Sequence, residues 1–215
     1  MSREHNLQRI LRGGIVAVVR FDDPEPLLAV MEALCAGGVE VAEVTFTVPN
    51  ALEVIRAAQR QLGSRMLLGA GTVLDPETAR AALLAGAEFL VAPTLNIDVI
   101  RLCRRYDKVV IPGALTPTEV LRAWEAGADI VKVFPADVVG PAFFRALRGP
   151  LPQVRLMPTG GVDVATAGLF LKAGAACLGI GGQLVDPQLV AAGDWAGITH
   201  LAQQYVEIVR QHRMS

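Results

Sequence analysis

A chain of 215 residues fits one domain and is long enough to bury one substantial core. A net charge of -1 excludes the basic footprint of a nucleic-acid binder, and no run of about 18 apolar residues offers a membrane-spanning helix. The 52% hydrophobic content, rich in Ala, Val and Leu, suits parallel strands covered on both faces by helices.

The opening stretch MSREHNLQRILRGG lacks the apolar run and cleavage site of a signal peptide and predicts a short amphipathic helix. Eight strands are then expected: Ile15–Arg20, Val39–Phe46, Met66–Thr72, Phe89–Ala92, Val109–Gly113, Ile130–Phe134, Arg155–Thr159 and Cys177–Gly181. A helix follows each, beginning near Pro24, Asn50, Pro76, Asn96, Pro117, Pro141, Asp163 and Trp195, several with a first-turn Pro or an Asn/Asp cap. Four units share one shape, a helix end, an Ala-Gly turn and an apolar strand: CAGGVEVAEVTF, LAGAEFLVAP, EAGADIVKVFP and KAGAACLGIGG. Gly37, Gly86, Gly127 and Gly174 are expected to take the left-handed conformation that ends each helix. Even spacing of roughly 20 to 25 residues marks repeated supersecondary units. The expected architecture is a (β/α)8 TIM barrel with a short N-terminal helix, one domain over residues 1–215. An open doubly wound sheet is the alternative, but no Gly-rich dinucleotide fingerprint follows the first strand. Cys35, Cys103 and Cys177 are odd in number and set in apolar surroundings, so reduced thiols and a cytoplasmic location are expected.

In such a barrel the chemistry sits at the C-terminal ends of the strands. The polar residues there are Arg20, Glu43, Thr45, Thr47, Thr72, Lys132 and Thr159, with glycines Gly160, Gly161, Gly181 and Gly182. The chain has 17 arginines and only three lysines, and Lys132 lies inside the apolar strand DIVKVFP. Alternation places it on one face with Ile130 and Phe134. If that face is the barrel interior, desolvation lowers its pKa and supplies the free amine that carbonyl addition requires. A structural lysine paired with a carboxylate is the other reading. Lys108 and Lys172 look like ordinary surface residues. Glu43 interrupts VEVAEVTF near the strand end and suits general acid/base work, with a structural ion pair as its alternative. The glycine pairs in PTGGV and GIGG, on the last two strands, suit an anion held by backbone N–H groups. His5, His200 and His212 lie outside the strands, so no metal is expected, and the serines have no neighbouring base for a hydrolase triad.

The motifs EVTFTVPNA, GAGTVLDPE, FLVAPTLN, VIPGALTPTE, VKVFPA and PTGGV, in this order, resemble the class I 2-keto-3-deoxy-6-phosphogluconate (KDPG) aldolase family, which includes the 4-hydroxy-2-oxoglutarate (KHG) aldolases. The likeness runs from GIVAVVR to GIGGQLV. It implies reversible cleavage of a 2-keto-4-hydroxy acid to pyruvate and an aldehyde, glyceraldehyde 3-phosphate or glyoxylate. It implies Lys132 as the Schiff-base lysine, Glu43 as the general acid/base and Thr72 as a contact for the pyruvyl carboxylate. Pro93 and Phe134 match pocket-lining positions, and Gly160, Gly161, Gly181 and Gly182 match the phosphate region. A homotrimer without metal or organic cofactor is implied. Two positions depart from the pattern. Thr47 stands where some members carry a carboxylate-gripping arginine, a charge that Arg20 is placed to replace; Gln183 stands where some carry a serine facing the phosphate. A galactose-series 2-dehydro-3-deoxy-6-phosphogalactonate aldolase, a phosphate-binding barrel isomerase or synthase, and a non-catalytic sugar-acid binder stay open.

Overall fold

The chain, in a computed structural model that describes all residues except Met1, Asp22, Pro24 and Ser215, alternates helix and strand from end to end. The strands are β1 (Ile15–Val19), β2 (Val41–Thr45), β3 (Leu67–Gly71), β4 (Phe89–Val91), β5 (Val109–Ile111), β6 (Gly113–Ala114), β7 (Val131–Val133), β8 (Leu156–Pro158) and β9 (Leu178–Ile180). The helices are α1 (Arg3–Gly13), α2 (Leu27–Ala36), α3 (Ala51–Leu62), α4 (Pro76–Leu84), α5 (Ile97–Arg105), α6 (Pro117–Glu125), α7 (Ala136–Arg148), α8 (Val164–Lys172), α9 (Pro187–Ala191) and α10 (Trp195–Met214). All pairings are parallel, in the orders β5-β4-β3-β2-β1-β9 and β6-β7-β8. β5 and β6 are two halves of one stave, interrupted at Pro112, which has no N–H to give to a ladder. The bridge Thr159↔Gly179 joins β8 to β9, so eight staves close into the expected barrel.

Strand alternation sorts the apolar side chains into two cores. Ile15, Ala17 and Val19, like Val131 and Val133, face outward into the layer under the helices. Val16, Val41, Phe89, Ile130, Met157 and Cys177 face inward and fill the barrel, with Leu7 and Ile10 of α1 packed against them as a plug. Each such buried aliphatic side chain contributes about 1.5–3 kcal/mol, enough to hold a short helix over the N-terminal end of the barrel. Polar contacts fix its register: Asn6 Nδ2 donates to Glu88 at 2.9 Å, and Arg3 pairs with buried Asp129. Asp129 also accepts from the Val110 N–H at 3.0 Å and pairs with Arg104 at 3.7 Å, tying α1, β5 and α5 together.

Several local expectations are corrected. Most strands end about one residue inside their expected limits, the expected Val109–Gly113 is split and runs on to Ala114, and helix α9 is additional. The expected start near Pro24 lies outside the described residues; α2 begins at Leu27. α7 begins at Ala136, not Pro141; Gly140 (φ 64, ψ -179) breaks the helix, and Pro141 opens its second part. Gly37 is right-handed (φ -82), and Gly38 (φ 90) takes the left-handed turn. Gly37 serves close approach instead, since a Cβ there would lie 2.4 Å from the Ala202 Cβ on α10. Gly86, Gly127 and Gly174 do have positive φ. Lys108 is no ordinary surface residue: its Nζ is 2.8 Å from Glu88, with only 21% of the side chain exposed.

Candidate active site

Glu43 and Lys132 occupy the inward faces of β2 and β7. Glu43 is flanked in register by Val18 on β1 and Gly69 on β3, and Lys132 by Gly113 on β6 and Met157 on β8. Their exposures are 1% and 4%, in a barrel otherwise lined by apolar side chains. Burial pushes the Glu43 carboxyl above its ordinary range, and the charges of Lys132 and Arg20 oppose that shift. Burial pushes the Lys132 ammonium down; Glu43 opposes this and Arg20 adds to it. Desolvation therefore favours the neutral form of both groups, a free amine and a carboxylic acid, within electrostatic reach of each other. The Lys132 Nζ also lies 5.1 Å from the centroid of the Phe134 ring. Among the described residues, Glu43 Oε2 and Thr159 Oγ1 are buried without a hydrogen-bond partner. Unmet polar atoms in such a place are unfavourable until something meets them.

Toward the C-terminal ends of the strands a cavity of about 170 Å³ is lined by Val18, Arg20, Phe134, Thr159, Gly160, Val162, Gly179, Gly181, Gly182 and Gln183. Arg20 is its one charged lining residue. Six of the expected site residues thus meet there: Arg20, Phe134, Thr159, Gly160, Gly181 and Gly182. Others stand apart from its lining. Thr47 is exposed, and its hydroxyl lies 2.7 Å from that of buried Thr45. Thr72 follows directly on β3, half-buried in a left-handed conformation (φ 56) that a β-branched residue rarely adopts. Pro93 is half-buried with its carbonyl against Gly113, where a Cβ would sit 2.2 Å from it. Gly161 (φ 67) packs on Asp137, whose Cβ would lie 2.4 Å from any Cβ at 161.

Val18, Val162 and Gly179 line the cavity beyond the residues expected from sequence. The two valines carry no signal that separates them from core. Gly179 does carry one: a glycine on an inward strand position marks a close approach, and here a Cβ would meet the Thr159 hydroxyl at 2.3 Å.

A family model described as KDPG and KHG aldolase matches residues 7–201. The 2-dehydro-3-deoxy-phosphogluconate aldolase of Treponema pallidum is 40% identical over 205 residues, which span 94% of this chain and 95% of that one. A solved structure described as native KDPGal superposes with a TM-score of 0.86 at 30% identity, covering 94% of this chain and 96% of that one. KDPG aldolase from Legionella pneumophila, solved with pyruvate captured as a covalent carbinolamine, superposes with a TM-score of 0.83 at 27% identity, over 92% and 96% of the two chains. With the barrel, the buried lysine and the match over most of its length, the chain belongs to the KDPG and KHG aldolase family, class I aldolases that act as carbon–carbon lyases.

Proposed function

We propose that one barrel domain over residues 1–215 cleaves a 2-keto-4-hydroxy acid reversibly to pyruvate and an aldehyde, with Lys132 as the covalent residue and Glu43 as the acid/base. The observation that carries this reading is the pair itself: a desolvated amine and a desolvated carboxyl on facing strands, each feeling the other's charge. The free amine of Lys132 adds to the C2 ketone to give a carbinolamine, and loss of water leaves an iminium. Glu43, having given its proton to the departing hydroxyl, removes the C4 hydroxyl proton directly or through water. The C3–C4 electron pair flows into the iminium, the aldehyde leaves, and an enamine remains. Protonation at C3 by Glu43 and hydrolysis of the new iminium release pyruvate and restore the amine.

Arg20 is assigned to the substrate carboxylate, in place of the arginine that Thr47 replaces. Its guanidinium is the charged group of the cavity, and its field acts on both Glu43 and Lys132. Thr72 and the unpartnered hydroxyl of Thr159 are assigned to substrate oxygens, and Pro93 to the pocket wall. Gly160, Gly161, Gly181 and Gly182, with Gln183, are assigned to the anionic far end of the substrate. We assign the preferred substrate to KDPG or 4-hydroxy-2-oxoglutarate, the working form to a homotrimer, and the location to the cytoplasm. Buried free thiols at Cys103 and Cys177 are consistent with that location, and no helix among the described residues is long and apolar enough to cross a membrane. Pyruvate release, coupled to NADH oxidation by lactate dehydrogenase, tests the assignment on KDPG, its galactonate epimer and 4-hydroxy-2-oxoglutarate. Fastest turnover of KDPG or 4-hydroxy-2-oxoglutarate is expected. Fastest turnover of the epimer, or of none, overturns it.

A further inference from the structure

The barrel keeps glycines at inward positions where a side chain would ordinarily be favoured: Gly69 and Gly71 on β3 and Gly179 on β9. A glycine inside a strand weakens it, by roughly 0.5–1 kcal/mol relative to alanine, so each needs a reason. At Gly71 the backbone is not the reason, because its φ is not among the positive ones. Space is. A Cβ at 71 would lie 2.6 Å from Glu43 Oε1, 2.7 Å from Cδ and 3.2 Å from Oε2. All three of its nearest atoms belong to one carboxyl group.

The register explains how that group reaches Gly71. The Glu43 Cα is paired with Gly69, while Gly71 is paired with Thr45. The Glu43 side chain therefore leans one inward step along the barrel, toward the C-terminal ends of the strands, and lays its carboxyl over the bare backbone of Gly71. The contrast with Gly69 is informative. There the added Cβ would meet three atoms of the Phe89 ring at 2.5 to 2.6 Å, a fully buried side chain with nowhere to go. At Gly71 the obstacle is the far end of an unbranched side chain, which yields by rotation about its own bonds where a ring cannot.

We propose that Gly71 is a positioning residue for the reaction: its missing side chain is the seat that holds the Glu43 carboxyl in its working place. This rests on the reading of Glu43 as the acid/base. A Gly71→Ala change pushes the carboxyl out of this seat while leaving the barrel folded, so it acts on turnover and not on stability.

The test is a double-mutant cycle in the full chain with Gly71→Ala and Glu43→Asp, measuring kcat, KM and Tm. In the wild-type background Gly71→Ala is expected to lower kcat by at least ~10-fold, as small misplacements of reacting groups do, with KM within about threefold. Asp is one methylene shorter and leaves room for the new methyl. In the Glu43→Asp background the same alanine is expected to lower kcat by less than about threefold. An equal loss in both backgrounds, no loss in either, or a Tm fall of more than about 5 °C would place Gly71 in general packing and overturn the proposal. Glu43→Gln separates this from failure of the underlying reading. If that variant turns over at the wild-type rate, Glu43 is not the acid/base, whatever Gly71→Ala does.

Discussion

Replacing Lys132 by Met and Glu43 by Leu in one chain removes both buried ionisable groups and leaves side chains of comparable bulk. The two groups are 4% and 1% exposed, and Glu43 Oε2 has no hydrogen-bond partner among the described residues. Exchange of buried ionisable groups for well-packed apolar ones stabilises by about 1–4 kcal/mol, and these two desolvated groups, one with an unbonded oxygen, belong near the middle of that range. At ~2–3 kcal/mol, a chain of this size gains roughly 4–12 °C in Tm. The gain has a pH signature. The folded Glu43 pKa is raised above 4.5, so its contribution to stability is lost as pH rises from that value through the folded pKa. The folded Lys132 pKa is lowered below 10.5, so the stability it withholds returns as pH rises from the folded pKa to 10.5. The Tm difference between the variant and the wild type is therefore expected to peak between these windows and shrink at both ends. Thermal unfolding followed by circular dichroism across pH 4 to 10 reads it (about the span of the two ordinary values). A double variant that melts below the wild type near neutral pH, or whose Tm difference does not vary with pH, would refute the reasoning.

Gly69→Ala is expected to act in the opposite sense to Gly71→Ala. Overpacking against Phe89 lowers stability by about 1–3 kcal/mol, visible as a lower Tm, while kcat per folded molecule is retained. Asp129→Ala strands the Val110 N–H, removes the partner of Arg104 and leaves Arg3 only its contact with exposed Asp107, for a loss of about 3 kcal/mol in urea unfolding with little change in kcat. Arg20→Ala is expected to raise the KM for the keto acid by at least ~10-fold, with Arg20→Lys recovering only part of it, since an ammonium lacks the bidentate fork. Unchanged KM in Arg20→Ala counts against its carboxylate role.

Much of the fold was legible because each β/α unit carries its own signals. Caps such as Asp75, Asn96 and Asp163 accept from backbone N–H groups where the sequence placed helix starts. The burial of Lys132 and its inward face were legible because it stands inside an apolar strand whose alternation fixes the face. What failed depended on tertiary contact. Whether Gly37 or Gly38 takes the left-handed turn is decided by α10 pressing on Gly37, which no local pattern records. The break at Gly140 hid the first part of α7 because a Gly-Pro pair reads as a helix start. The contact of the exposed Thr47 hydroxyl with that of buried Thr45 is likewise one that no local pattern records. Gly71 and Gly179 were visible as strand glycines, but their partners became known only from the facing side chains.

In the proposed reaction it is Lys132 that forms the covalent bond to substrate. Incubation with pyruvate and sodium borohydride, followed by peptide mapping, tests it most directly. A stable adduct mapped to Lys132, absent from Lys132→Met, is the expected result. Folded protein that gives no adduct, or carries it on Lys108 or Lys172, would contradict the account.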